Sequence, residues 1–357
     1  MRNPERDTSF LLPGTPMFWK RSNLFKPSTN HISYAFHRHH RSREMGQEPC
    51  QGMSGLSAEH KDVEFVGIAD PAEQGKTLAK ENKVRHFPKY EDMLACVDAV
   101  IIATPTDTHY EVVKHCLLQG KHVFVEKPIT TKAEHARELK QLAKDNHLVC
   151  QVGYIFRFNP AIIKLKEEIK KLGKLQYITG RFIHSTNPPR KDSGVIFNFG
   201  IHLIDILNFI LEQKPEKVFC SQKHFLSKER EDVAFINLDY GNFIANLEVS
   251  WFHPEKKRDF WIIGEKAKLY IEFFDQVIKK YPITVGYDGC TRGPEEIIEV
   301  NKNEPLKAEV EDFITNVQGN GKLPVKKGPI EEEAYLTTKL CEACYESAKQ
   351  GKELDFR

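Results

Sequence analysis

The chain lacks what would direct it to a membrane, to nucleic acid or to an oxidising compartment. No apolar run in its 357 residues reaches the roughly 18 that a membrane-spanning helix needs. No charge sign dominates: 52 basic residues face 50 acidic ones, net +2. No strong pull toward nucleic acid or an anionic surface follows. The start shows no signal-peptide core followed by a small-residue cleavage site, so a cytoplasmic location is expected. Eight cysteines are scattered without a disulfide framework. Cys341 and Cys344 form a C-x-x-C, but inside the helical "TTKLCEACYESAK" and with no second ligand pair nearby in sequence. No metal is expected.

Length and an apolar content of 40% fit a soluble two-domain chain. From Val63 onward, apolar runs alternate with helical patterns. "VEFVGIAD", "VDAVIIATP", "KHVFVEKP" and "LVCQVGY" read as buried strands. Between them lie "PAEQGKTLAKEN", "HYEVVKHCLLQG" and "KAEHARELKQLAKDN". The pattern predicts a Rossmann-like, doubly wound parallel sheet over 54–155. After "AIIKLKEEIKKLGK" the rhythm changes to strands: "QYITGRFIH", "KVFCSQKHF", "DVAFINLDY", "FIANLEVSWF", "RDFWIIG" and "KLYIEFF". One helix near 199–211 interrupts them. Residues 156–357 are expected to form an α+β domain with an open, mainly antiparallel sheet. Two C-terminal helices follow near 306–317 and 330–349, the second able to return to the first domain.

Ligands bind doubly wound sheets beyond the strand ends. Asp70 closes the first apolar run, and either accepts ribose hydroxyls, favouring NAD over NADP, or caps the helix after Pro71. Thr104 and Thr106 in "ATPTDTH" have hydroxyls for ribose or phosphate oxygens, and Pro105 shapes the turn. "EKP" places Glu126 and Lys127 where a buried strand meets water, and Pro128 fixes the direction of departure. In "SGVIFNFGIHLIDILNFIL", Asn198, His202 and Asp205 stand at i, i+4 and i+7 on one helical stripe.

This arrangement resembles the Gfo/Idh/MocA oxidoreductases from about Val63 onward. The resemblance implies that Lys127 lies beside the nicotinamide of NAD and the reacting hydroxyl, and that His202 accepts the hydroxyl proton. It places His109, Glu126 and Arg157 on the cofactor side, and Asn198 and Asp205 on the substrate side. Asn198 stands where the family often has Asp. "GYIFRFNPA" and "NPPRKDSGVIFNFGIH" are similar to nucleotide-sugar dehydrogenases of the family that oxidise C3 of UDP-N-acetylglucosamine or its uronic acid. Arg157 and Asn159 would line the cleft, and Arg190 and Lys191 are candidate diphosphate contacts or a solvated loop. A sugar or polyol dehydrogenase, or a catalytically dead sensor, are the alternatives. A homodimer or homotetramer is expected, because the open sheet needs a cover.

One absence conflicts with this reading. A dinucleotide site needs a first strand and G-x-G-x-x-G before the helix that precedes Val63. Here that stretch is "SYAFHRHHRSREMGQEPCQGMSGLSAEHKDVEF". His37, His39 and His40 have no partner cluster. Degenerate codons read one nucleotide later from Tyr34 are compatible with "MHFTVITGAGRWGKNHARV", rejoining this frame near Met53. Residues 1–53 are therefore expected to be an aberrant or disordered segment, a frameshift or gene-model artefact. Residues near 33–40 can still take the strand's place without restoring the loop's chemistry.

Overall fold

The computed structural model describes residues 32–38, 63–185, 192–319 and 331–356, with backbone alone at 32–38, 331 and 332. Six parallel strands build the first sheet. They are β1 (Ile32–Arg38), β2 (Val63–Ala69), β3 (Arg85–Phe87), β4 (Ala99–Ala103), β5 (His122–Glu126) and β6 (Cys150–Gly153), in the order β3-β2-β1-β4-β5-β6. The order reverses at β1, so a crevice opens between the ends of β1 and β4. β1 pairs with β2 and β4 across the centre. The central position is taken by 32–38, the placement expected of residues near 33–40. Parallel neighbours on both sides supply the hydrogen bonds, so the slot tolerates a sequence with little strand character.

Helices cover both faces. α1 (Glu73–Glu81) buries Leu78 on one face, and α2 (Tyr90–Leu94) is short. α3 (His109–Leu118) and α4 (Ala133–Asp145) lie after β4 and β5. α5 (Pro160–Glu168) begins with proline at its first turn and is capped by Asn159, whose side chain accepts the Ala161 N–H.

The second sheet has nine strands. These are β7 (Leu175–Ile183), β8 (Lys217–Lys223), β9 (Val233–Asp239), β10 (Ile244–Ser250), β11 (Lys257–Gly264), β12 (Lys268–Glu272), β13 (Val277–Tyr281), β16 (Glu296–Ile298) and β17 (Leu354–Asp355). Its order is β16-β13-β12-β11-β7-β10-β9-β8-β17, antiparallel except for β7 beside β10. β14 (Ile283–Gly286) and β15 (Gly289–Arg292) form a separate hairpin. A turn at "YGN" joins β9 to β10, with Gly241 at φ 80° as left-handed backbone requires. Strands β13 to β16 escape sequence reading because lysines, threonines and exposed positions break their apolar alternation.

α6 (Ile201–Leu211) packs on the inner face of this sheet and is buried along nearly its whole length. The helix is expected from residue 199, but Ile196–Gly200 forms a wider π-helical turn ahead of it. α7 (Pro305–Val317) and α8 (Glu331–Gln350) return toward the first sheet. Phe313 of α7 meets Phe124 of β5 edge-on at 5.7 Å. Arg137 of α4 donates to Tyr335 Oη of α8 at 2.6 Å. The return expected of the last helix is thus made by both.

Candidate active site

The strand ends and the π-turn meet at Lys127. Its side chain is 5% exposed, and Nζ donates to the Asn198 carbonyl at 2.8 Å and to Asn198 Oδ1 at 3.4 Å. Four residues later, His202 lies on α6 with its imidazole between two rings. Phe156 meets it edge-on at 5.1 Å and Phe182 stacks on it at 5.6 Å and 14°. The ammonium is thus tied through Asn198 to the turn that leads into the helix carrying the imidazole. Such a pair can bind a hydroxyl oxygen and take its proton.

Glu231, which sequence reasoning missed, secures that turn. Its Oε1 accepts the Ile196 N–H at 2.8 Å and the Tyr345 hydroxyl at 2.5 Å, and its carbonyl accepts the Val195 N–H. Burial pushes the Glu231 carboxyl above the usual range. Gly194 leaves it room, because a Cβ there would collide with the carboxylate.

Asp70 follows β2 and its Oδ1 accepts the Ala72 N–H at 2.8 Å, an Asx turn ahead of α1; the cap position itself is Ala72, so Asp70 is not the helix N-cap. A carboxylate has a second oxygen, so a ribose contact stays compatible with it. Pro105 shapes its turn by accepting the Thr108 N–H at 2.9 Å. Thr104 accepts the Thr108 hydroxyl at 2.6 Å. Thr106 donates its N–H and hydroxyl to Asp192 Oδ2, at 3.2 and 3.1 Å. Asp192, absent from the sequence reading, thus joins the first sheet's loop to the segment leading into the π-turn. Glu126, the last residue of β5, pairs with Gly153 of β6, where a Cβ would come within 3.2 Å of its carboxylate.

Four expectations are corrected. His109 is buried, and Pro128 and Thr104 carbonyls lie 2.6 and 2.9 Å from its ring nitrogens. It joins the two strand-end loops rather than reaching a cofactor. Asn159 does not line the cleft; it caps α5 and donates to the Phe273 carbonyl at 2.7 Å. Arg157 is wholly buried and forks onto Asp205, with Nη2 2.6 Å from Oδ1 and Nε 2.9 Å from Oδ2. Its Nη1 reaches Glu333 at 2.5 Å. Burial opposes the Arg157 charge, but the two carboxylates outweigh it and hold its pKa above the ordinary value. Asp205 is therefore an anchor and not a substrate ligand. Seven residues at about 1.5 Å each carry it some 10 Å along the helix from Asn198, into the protein. Arg190 and Lys191 lie outside the described residues.

Glu309 of α7 is a further buried acid, with Oε1 unpartnered among the described residues. Burial raises its pKa well above the carboxylate range, and Glu126, Asp205 and Asp312 push the same way. Only its place in a helical apolar stripe, four before Phe313, hinted at burial. Among the described residues no group of His, Cys, Asp and Glu could hold a metal, and no helix is long and apolar enough to cross a membrane.

The donor set fits a nicotinamide dinucleotide: a carboxylate at β2, hydroxyls after β4 and a lysine after β5, around the point where the order reverses. The stretch that would face the phosphates, between β1 and β2, lies outside the described residues. Comparison with known proteins agrees. Residues 48–154 match the oxidoreductase family model described as an NAD-binding Rossmann fold, and 163–270 match the same family's C-terminal domain. UDP-N-acetylglucosamine 3-dehydrogenase of Acidithiobacillus ferrooxidans is 29% identical over 257 residues, 71% of this chain and 81% of the relative. Inositol 2-dehydrogenase of Rhizobium meliloti is 24% identical over 335 residues, 87% and 96% of the two chains. A solved structure of the Acidithiobacillus enzyme superposes with a TM-score of 0.77 at 24% identity, covering 90% of this chain and 98% of that one. That likeness shows the fold: a Rossmann-like domain followed by an α+β domain. With two models of one family covering most of the described chain, the chain belongs to the Gfo/Idh/MocA oxidoreductases, NAD-binding enzymes acting on CH–OH groups.

Proposed function

We propose that the chain oxidises a hydroxyl of a sugar or polyol, with C3 of a UDP-N-acetylhexosamine as the preferred position. The observation that carries this is the bond from Lys127, at the end of the parallel strands, to Asn198, which stands four residues before His202. The Acidithiobacillus relative's substrate supports the nucleotide sugar, while relatives acting on inositol support the broader polyol class. His202 accepts the hydroxyl proton, since an imidazole changes charge near neutral pH. Lys127 donates a hydrogen bond to the same oxygen and stabilises its developing negative charge. The ring of Phe182 holds the imidazole at its angle. NAD⁺ supplies the hydride acceptor when bound. Asp70, Thr104 and Thr106 would hold its ribose and phosphate side, and Glu126 its nicotinamide ribose.

In the same reading, residues 54–155 and 156–357 are the cofactor and substrate domains, and 1–53 carries a reading-frame error that removes the glycine loop. The family match beginning at residue 48 supports this. Two exposed residues on the outer sheet face, Tyr177 and Phe235, support a second copy as its cover. The test is absorbance at 340 nm with NAD⁺ and UDP-N-acetylglucosamine, for this chain and for one carrying G-A-G-R-W-G. NADH production only by the repaired chain is expected. Equal activity of both would sink the frame-error reading, and none in either would sink the dehydrogenase.

A further inference from the structure

Strand alternation sets up an unexpected cation beside the cleft. β11 pairs with β7 so that Arg258 stands opposite Phe182. Both belong to the row of alternate residues that faces α6, since Ile178, Phe260 and Ile262 in those rows are buried. Arg258 is therefore the outermost member of a core-facing row, opposite the Phe182 that stacks on His202. The strand's acid, Asp259, points to the opposite face and forks onto Arg181 at 2.6 and 3.0 Å.

Aromatic rings hold this cation in place. The Arg258 guanidinium lies 4.8 Å from the Phe182 ring centre and 5.4 Å from that of Phe274. Lys256 Nζ lies 4.8 Å from the Phe274 ring, which is itself 65% exposed. Phe182 stacks on His202 at 5.6 Å, so the guanidinium stands within about 10 Å of the imidazole, one ring away. His184 continues the β7 row. Burial lowers its pKa, and Arg258 and Lys256 lower it further, so positive charge concentrates at this corner.

We propose that Lys256 and Arg258, held by Phe182 and Phe274, form a subsite for an anionic group of the substrate, either a sugar-linked phosphate or a ring carboxylate. The proposal rests on the reading of His202 as part of the reaction site. The separation of about one sugar ring lets a hydroxyl reach His202 while the anion reaches the two cations. Arg258 provides a planar fork for two oxygens, and Lys256 a mobile point charge from the exposed side.

Binding to the full chain by calorimetry tests this without needing turnover. The probes are UDP, glucuronate, N-acetylglucosamine and myo-inositol. UDP or glucuronate should bind more tightly than the neutral pair, and more weakly as salt rises. Lys256→Ala and Arg258→Gln should each raise that Kd at least tenfold, and Arg258→Lys should restore part of it. Lys256 is exposed, so its variant tests the subsite even where Arg258→Gln fails to fold. Preference for UDP identifies a phosphate site, and preference for glucuronate a carboxylate site. Equal affinity for charged and neutral probes, or indifference to Lys256→Ala, would overturn the proposal. Anion binding without reduction of NAD⁺ by any sugar, even in the chain carrying G-A-G-R-W-G, leaves the subsite standing and removes the dehydrogenase. Polyol turnover without anion binding does the reverse.

Discussion

Replacing Asp205 by Asn tests the anchor beneath the site. The side chains of Arg157 and Asp205 are each 1% exposed, and three hydrogen bonds join them. The substitution keeps the shape and removes the charge, leaving Arg157 to share only the half-exposed carboxylate of Glu333. Stranding one member of a buried pair costs about 3–5 kcal/mol. With about 2.1 cal/mol/K of unfolding entropy per residue, this chain's size converts that cost to a fall in Tm of about 4–7 °C. Scanning calorimetry reads the shift. A double variant, Arg157→Met with Asp205→Leu, should recover most of the loss, because no buried charge is left alone. A Tm within about 1 °C of wild type for Asp205→Asn would refute the reasoning, given that magnitude. So would a double variant less stable than both single ones.

Lys127→Met keeps the length of the side chain and removes the charged donor. Made in the chain carrying G-A-G-R-W-G, it should show in steady-state kinetics kcat lowered by about 10²–10³-fold with NADH affinity largely retained, the loss expected for one electrostatic donor; unchanged kcat would remove Lys127 from the reaction. Glu309 holds a proton in the folded chain that the unfolded chain releases, so its favourable contribution is complete below the ordinary Glu pKa and lost as pH rises. Wild type should therefore lose stability relative to Glu309→Gln by at most about 1.4 kcal/mol per pH unit above that value; parallel melting curves across pH would contradict this. Gly194→Ala should cost about 1–3 kcal/mol by overpacking the Glu231 carboxylate, and a Glu231→Asp background should reduce the cost. Equal penalties in both backgrounds would show that the two residues do not meet.

Much of the fold was legible because its signals are local. "AVIIA" and "HVFVE" are apolar at nearly every position, as doubly covered strands must be, and Gly120 and Pro128 punctuate them. Lys127 was singled out for a related reason: it leaves such a strand where cofactors sit, and the family resemblance gives a lysine there its role. What the sequence hid depends on contacts across long separations. Asp192 meets Thr106 and Glu231 meets Ile196 with no spacing that announces either bond. Arg157, Asn159 and Asp205 read as ligands because their types suit ligands, yet burial gives them structural partners. The π-turn was also invisible, since "IFNFGIHL" is as compatible with an α-helix. The central position of 32–38 is the reverse case: the sheet's geometry assigns a strand that local pattern does not.

The return of α8 has a consequence for how the protein is made. Its residues pack against α4 and β6 on one side and β8 on the other, where Ser347 accepts the Cys220 N–H at 2.9 Å. β17 then pairs with β8 and closes the second sheet's edge. Both halves are thus sealed by the same closing segment. As the chain emerges from the ribosome, each sheet must wait for that strap, and neither half matures before the strap has emerged. A chain stopped short of residue 331 would leave two apolar faces open at once, so a late truncation should be cleared as a misfolded protein and not persist as a cofactor-binding fragment.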